Sequence, residues 1–305
     1  MKGEFQAIEA LFRKRVPFCH ETTYLSNGDD ASVHDIPAGF SLAISTDTAV
    51  EGVHWPSDMP LDVAAKRAVC AALSDLAAMG AKACWIWLSV VARDQRALQD
   101  MSDGVVEVCQ QYQLELAGGD TVSAAVNMLN VTVGGLLPQG KALSRTKALV
   151  GDDIWLLGDV GLSAQGLEQW LNGDSAGDCI TFFQHIQPQL EQGEALLNMG
   201  VLCCMDISDG LLQDASHLAA ASQVGLWIEQ EKLKRLKCYE KTSLSKMLAG
   251  GEDYALLCTA PVLMRRQLLQ LQAQRIGSCH VGNAVKLMHQ GQEVKLEIQG
   301  YDHFA

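Results

Sequence analysis

The chain has 305 residues, of which 48% are hydrophobic and 19% charged, and its formal net charge is −13. That length and balance predict a soluble globular protein with two domains, each large enough for its own core. The acidity excludes nucleic acid and an anionic membrane surface as main partners, because both require basic surface.

Residues 1–16 predict a helix with Phe5, Ile8, Leu11 and Phe12 on one face and no apolar signal-peptide core. Ser26-Asn27-Gly28-Asp29-Asp30 reads as a polar loop and a first acidic cluster. Phe40, Leu42 and Ile44 alternate with Ser41, Ala43 and Ser45, which predicts a strand running out at Thr46-Asp47. A helix opens near Asp62 and stops at Gly80, followed by a strand over 85–92 and a second helix with Leu98, Met101, Val105, Val108 and Tyr112 at helical spacing. Gly118-Gly119-Asp120-Thr121 reads as a turn, and residues 128–137 alternate as another strand.

Residues 138–152 contain a turn and the basic residues Lys141, Arg145 and Lys147, a hinge between residues 1–140 and 141–305. The second half predicts a strand over 154–157, helices over 163–171, 189–199 and 211–222, and strands over 225–229 and 255–260. Its lysine-rich stretch 232–246 reads as a solvated loop or helix face. The fold class is therefore α/β with mixed sheets. Ten scattered cysteines without C-x-x-C spacing argue for reduced thiols and a cytoplasmic protein, against structural zinc or a disulfide framework. The apolar run 70–92 is interrupted by Asp75, Gly80 and Lys82, so it reads as a helix end and a strand, not a membrane span.

Asp75 shares its helix face with Ala71, Ala72, Ala78 and Met79, with no Lys or Arg within a turn. Either it is solvated at a helix edge, or it holds a metal ion and needs partners. Candidate partners are Asp29, Asp30, Asp47, Asp120, Asp206, Asp209 and Glu252, each beside Gly, Ser or Thr and next to an apolar run. Two like charges about 4 Å apart repel by roughly 4 kcal/mol at an effective dielectric near 20. Such a cluster calls for divalent cations, and Mg²⁺ typically takes one or two carboxylates, waters and substrate phosphates. Gly-Gly turns would let backbone N–H groups approach those phosphates. Separate caps and turn formers explain any one of these acids well and the whole set poorly. Residues 135–142 read G-x-x-x-x-G-K-A, but Ala142 lacks the hydroxyl and Pro138 an N–H, so a hairpin turn is expected in place of a P-loop. Leu-Ala-Gly-Gly-acid at 116–120 recurs at 248–252, and Ser-Asp at 74–75 recurs at 208–209. Short matches of this kind also arise by chance in Ala- and Leu-rich sequence.

Taken in order, Asn27-Gly28-Asp29-Asp30-Ala31, Ser45-Thr46-Asp47-Thr48, Glu51-Gly52-Val53-His54-Trp55, residues 73–80, Gly118-Gly119-Asp120-Thr121, Ile207-Ser208-Asp209-Gly210, Gly250-Gly251-Glu252-Asp253-Tyr254 and the closing residues 300–304 resemble the thiamine-monophosphate kinase family. The resemblance covers almost the whole chain. It implies a two-domain fold like that of aminoimidazole-ribonucleotide synthetase, with the N-terminal sheets forming a homodimer and the second domain completing the nucleotide and substrate site. It implies Mg²⁺- and ATP-dependent conversion of thiamine monophosphate to thiamine diphosphate by direct in-line phosphoryl transfer. Carried over, Asp30, Ser45, Thr46, Asp47, Asp75, Asp120, Asp206 and Asp209 are the expected Mg²⁺ shell, with Asp75, Asp120 and Asp209 catalytic. Gly119, Asp120, Arg145 and Ser208 are the expected ATP contacts, and His54, Glu252 and Tyr301 the expected substrate contacts. The chain departs from the family where Lys147 replaces a glycine and Val150 a proline in the loop after Arg145. Trp55 and Tyr301 suit a cationic ring as cation–π partners or serve in packing. The competing readings are a sister ATP-dependent synthetase of the same fold, a non-catalytic nucleotide- or metal-binding regulator, and a metal-dependent phosphohydrolase. A selenophosphate synthetase needs a reactive Cys in a Gly-rich setting, and Cys19 between Phe18 and His20 lacks it.

Overall fold

The computed structural model describes residue 6 and residues 8–294, so Phe5, Tyr301 and the closing motif lie outside the described residues. The chain divides into two compact units, Met1–Leu76 with Ala81–Lys141 and Ala77–Gly80 with Ala142–Ala305.

In the first unit a wide helical turn, α1 (Glu9–Arg13), precedes the short paired strands β1 (Thr23–Leu25) and β2 (Val33–His34). Then come β3 (Phe40–Val50), α2 (Leu61–Met79), β4 (Lys82–Ala92), α3 (Gln95–Tyr112), β5 (Glu115–Ser123) and β6 (Met128–Pro138). The sheet order is β3-β6-β4-β5, with β6 antiparallel to both neighbours and β4 parallel to β5. Alanine-rich α2 is a strong helix former and is buried along most of its length. Gly80 ends it with φ 72°, a conformation that costs glycine no Cβ clash, and Ala81 N–H closes back on the Leu76 carbonyl at 2.9 Å. Asp94 caps α3 by accepting the Ala97 N–H at 2.8 Å, and Met101, Val105 and Val108 turn into the core.

Two features of this unit depart from the sequence pattern. Phe40, Leu42 and Ile44 are 45%, 41% and 61% exposed, so the apolar row of edge strand β3 points outward. The inward row is Ser41, Ala43, Ser45 and Asp47, because Ser45 and Asp47 lie in register with buried Val133 and Val131. Gly118–Thr121, expected as a turn, instead runs straight through β5, where pairing with β4 overrides the local Gly-Gly signal.

The second unit contains β7 (Asp153–Leu157), α4 (Leu162–Leu171), α5 (Asp178–Gln184), α6 (Leu190–Asn198), β8 (Cys203–Asp206) and α7 (Leu211–Ser222). These are followed by β9 (Gly225–Glu229), α8 (Gln230–Leu233), α9 (Leu244–Ala249), β10 (Leu256–Ala260), α10 (Arg265–Gln270), β11 (Gln274–His280), β12 (Val285–His289) and β13 (Gln292–Val294). The sheet order is β13-β12-β9-β11-β7-β10-β8, and Ile154, Leu156, Met205, Leu218, Ile228, Leu257 and Ile276 share its core. The lysine-rich stretch forms short helices on the surface, with Lys241 paired to Asp178 and Lys246 to Glu168, each at 2.6 Å. The run 135–142 places Gly135 inside β6, with the turn at Pro138–Lys141 closed by a 3.0 Å backbone hydrogen bond. No helix among the described residues is long and apolar enough to cross a membrane.

Candidate active site

In the first unit the inward row of β3 meets the last turns of α2. Ser45 donates its hydroxyl to Asp75 Oδ2 at 2.5 Å, which joins strand and helix at that point. Burial, reinforced by the negative charge of Asp75, pushes the Asp47 carboxyl up to about 6. Ser45, Asp47 and Asp75 therefore form one oxygen-rich group in which two carboxylates repel each other.

Asp120 is placed differently. Asp47, Val131, Leu88 and Gly119 form one row across the sheet, and the next row holds Thr48, Asn130, Ser89 and Asp120. Successive side chains alternate between faces, so Asp120 belongs to the face opposite Asp47. The Asn130–Thr48 hydrogen bond at 2.7 Å lies on that second face, as does the 2.9 Å contact between the Thr46 and Thr132 hydroxyls. Thr46 thus turns its side chain away from Asp47. Gly118, Gly119, Asp120 and Thr121 line a cavity along edge strand β5 together with Phe12 and Asn27. Asp29 and Asp30 are exposed at the tip between β1 and β2. His54 is half-buried, and its Nδ1 accepts the Val50 N–H at 3.1 Å, which leaves the proton on Nε2. Trp55 is only 3% exposed and packs in the core.

In the second unit the acids stand on loops that two further carboxylates hold. Asp214, one turn into α7, accepts the N–H groups of Ser208, Asp209 and Gly210 on a single oxygen at 3.0, 3.0 and 3.1 Å. Asp253 accepts the Gly161 and Ser163 N–H groups at 2.5 and 3.0 Å, tying the loop after Glu252 to the start of α4. Burial raises both carboxyls against the pull of those hydrogen bonds, Asp214 to about 6 and Asp253 to about 7. The loops 207–210 and 250–254 lie back to back. Glu252 and Tyr254 donate their N–H groups to the Ser208 and Ile207 carbonyls at 2.7 and 2.8 Å, and a Cβ on Gly251 would come within 2.5 Å of the Ser208 carbonyl. Glu252 itself sits at φ 62°, a left-handed conformation that costs a non-glycine residue of order 1–3 kcal/mol. Asp206 ends β8 and is buried at 7% exposure, Asp209 is half-buried beside Gln213, and Arg145 is exposed with its carbonyl taken by Ser222. Asp214 and Asp253 were not among the acids that sequence pattern singles out. The available signal was weak: an acid one turn into the helix that follows Ser-Asp-Gly, and an acid just before a fully buried strand.

Among the described residues no three His, Cys, Asp or Glu side chains converge as a ready metal cluster. The Ser45–Asp47–Asp75 group nonetheless fits a hard cation. Its donors are all oxygen, two carboxylates are what Mg²⁺ commonly takes from protein, and the Asp47 carboxyl, raised chiefly by burial and further by the charge of Asp75, is one whose ionised form a cation would stabilise.

The family model for the N-terminal domain of AIR synthase related proteins matches residues 28–137. Thiamine-monophosphate kinase of Haemophilus influenzae is 33% identical over 325 residues, covering 99% of this chain and 98% of its own. Among solved structures, thiamine-monophosphate kinase from Stenotrophomonas maltophilia K279a superposes with a TM-score of 0.84 at 29% identity, covering 94% of this chain and 97% of that one. AaThiL complexed with AMPPCP and TMP superposes with a TM-score of 0.79 at 27% identity, covering 99% and 97%.

Proposed function

The chain belongs to the thiamine-monophosphate kinase family, and on that premise we propose that it transfers the γ-phosphoryl group of ATP to thiamine monophosphate, giving thiamine diphosphate for thiamine biosynthesis. The observation that carries this reading is the Asp47–Asp75 pair beside Ser45, two mutually repelling carboxylates whose donor set suits a cation carrying phosphates.

A phosphate monoester has its second pKa near 6, so the acceptor is largely dianionic at neutral pH and needs no general base. The work left to the protein is to hold two anionic groups in line and to spread the charge of the group in transit. Mg²⁺, when bound, supplies that charge neutralisation at the phosphate oxygens. Asp30, Ser45, Asp47, Asp75, Asp120, Asp206 and Asp209 are proposed as its ligands, directly or through water. Thr46, whose side chain shares the face of Asp120, is proposed as a ligand on that side. Asp75, Asp120 and Asp209 are the proposed central catalytic acids. Gly119, Asp120, Arg145 and Ser208 are proposed to contact ATP, and His54 and Glu252 the acceptor. Glu252 offers its charge to the cationic thiazolium ring, and its left-handed backbone fixes the direction in which that carboxylate leaves the loop. Tyr301 is the third proposed substrate contact. Transfer is direct, with no phosphoenzyme.

The exposed apolar row Phe40, Leu42 and Ile44 on an edge strand supports a homodimer formed through the first unit's sheet. Light scattering is expected to give twice the chain mass of 33.0 kDa, and a monomer at micromolar concentration would remove this element. All ten cysteines are free and nine of them are buried, which supports a cytoplasmic protein. The activity is tested by product identification with ATP, Mg²⁺ and thiamine monophosphate beside a thiamine-only control. Hydrolysis without transfer, or phosphorylation of thiamine alone, contradicts it.

A further inference from the structure

Glu115, the first residue of β5, is 1% exposed and takes no part in the residues discussed so far. Its Oε2 accepts the His20 N–H at 2.7 Å and the Thr23 hydroxyl at 2.6 Å, and its Oε1 accepts the Ser26 hydroxyl at 2.5 Å. Three residues of one segment, spaced three apart, thus converge on one buried carboxylate. A second layer closes over them. Trp85 Nε1 donates to Thr23 Oγ1 at 3.0 Å, Trp87 Nε1 donates to Ser32 Oγ at 2.9 Å, and the rings of His20 and His34 lie 4.8 Å from Trp85. His34 Nδ1 meets Thr23 Oγ1 at 3.0 Å, so β1 and β2 are both tied to this hub.

The pinned segment is the one that carries Asn27-Gly28-Asp29-Asp30. Ser26 is the last of the three anchored residues, half-buried Asn27 follows it, and the exposed tip begins at Gly28. The same strand that opens with Glu115 bears Gly119 and Asp120, and Asn27 lines one cavity with them. We propose that Glu115 is a positioning residue that fixes the Ser26–Asp30 segment in place beside Gly119 and Asp120. This rests on the reading of Asp30 and Asp120 as residues that serve the Mg²⁺–ATP end of the reaction. The anchor is chemically specific: a carboxylate offers acceptors only, and all three groups that meet it are donors. An isosteric amide would keep one oxygen for His20 and Thr23 and meet Ser26 with an N–H, so the hydroxyl must turn from donor to acceptor and all three contacts lose the carboxylate charge.

The test is Glu115→Gln, with Ser26→Ala as a milder second variant that leaves the buried carboxylate in place. Loss of one charge-assisted hydrogen bond corresponds to about a tenfold change. Glu115→Gln is expected to raise KM for Mg²⁺–ATP about tenfold while KM for thiamine monophosphate stays within about twofold, and Ser26→Ala is expected to shift it in the same direction by less. Hydrogen exchange of the amides between His20 and His34, measured without nucleotide or metal, is expected to speed up by a similar factor while β10 is unchanged. The proposal is overturned if both KM values move together, if only the melting temperature changes, or if exchange in the segment is unaltered in both variants. A wild-type protein that makes no thiamine diphosphate would overturn the kinase reading instead, and the exchange measurement would still decide whether Glu115 pins the segment.

Discussion

The acids of the first unit and those of the second are held in opposite ways. Asp47 and Asp75 project from a strand and a helix whose backbones already satisfy themselves, Ser45 donates its hydroxyl to Asp75, and the charge of Asp75 bears on Asp47. Asp209 stands on a loop whose N–H groups Asp214 gathers, and Glu252 on a loop that Asp253 ties to the Gly161 and Ser163 N–H groups at the start of α4. In the first case the charges are a stored repulsion that a ligand relieves. In the second, the buried carboxyls of Asp214 and Asp253 hold the backbone of the loops that carry Asp209 and Glu252. Removing an acid should therefore change activity and stability in different proportions in the two places.

The largest expected effect is that of Asp75→Asn. Loss of one charge-stabilising group at a transition state typically costs about 100- to 1,000-fold in turnover. Neutralising Asp75 also removes one of the two influences that raise Asp47, so the ligand-free protein should melt no lower than wild type. Steady-state kinetics and a thermal scan check both halves. Near-wild-type turnover, or a large fall in melting temperature with activity retained per folded molecule, would place Asp75 with the structural acids.

Asp214→Ala should give the reverse. Three buried or half-buried N–H groups lose their acceptor, and each orphaned donor costs about 1–3 kcal/mol before water repairs any of it. A loss of about 3 kcal/mol is expected in the unfolding free energy obtained from urea titration, with Asp214→Asn milder because its amide oxygen can still accept. Unchanged stability in both variants would remove the distinction between the two regions.

A smaller effect follows from Asp253. Its folded carboxyl is raised to about 7, so between the unfolded value near 3.8 and that point the native state binds more protons than the unfolded chain. The stability this supplies is present at low pH and is lost as pH rises through about 7, with a limiting slope of about 1.4 kcal/mol per pH unit. Urea titrations of wild type and Asp253→Asn between pH 5 and 7.5 should differ by a slope of this sign. Parallel lines would show that the two N–H groups keep Asp253 ionised throughout.

How much of this could be read from sequence depended on whether the signal was local. Helix α7 was expected over 211–222 and is Leu211–Ser222, and α2 was expected from Asp62 to Gly80 and is Leu61–Met79, because propensity and the terminal glycine act within a turn. Gly118–Thr121 carries turn residues, yet it forms strand because β4 lies alongside, a partner about thirty residues away that no local pattern reveals. For β3, alternation gave the strand but not which row faces inward. That choice came from Val131 and Val133 on β6, which put Ser45 and Asp47 inside and Ile44 outside. The two Leu-Ala-Gly-Gly-acid copies show the same limit, since one is a paired strand and the other is the end of α9 running into a loop with Glu252 at φ 62°. Among the acids, pattern found those that stand beside Gly, Ser or Thr. It passed over Asp214, Asp253 and Glu115, whose roles exist only through backbone and hydroxyl donors brought from elsewhere in the fold.

The central claim is that this oxygen-rich arrangement serves phosphoryl transfer to a phosphate. It is tested most directly by incubating the wild-type protein with Mg²⁺, γ-labelled ATP and thiamine monophosphate and identifying the labelled product. The account predicts thiamine diphosphate carrying the label on its terminal phosphate, ADP release that requires thiamine monophosphate, and no labelled protein. Label appearing as inorganic phosphate at the same rate with and without the acceptor would contradict it.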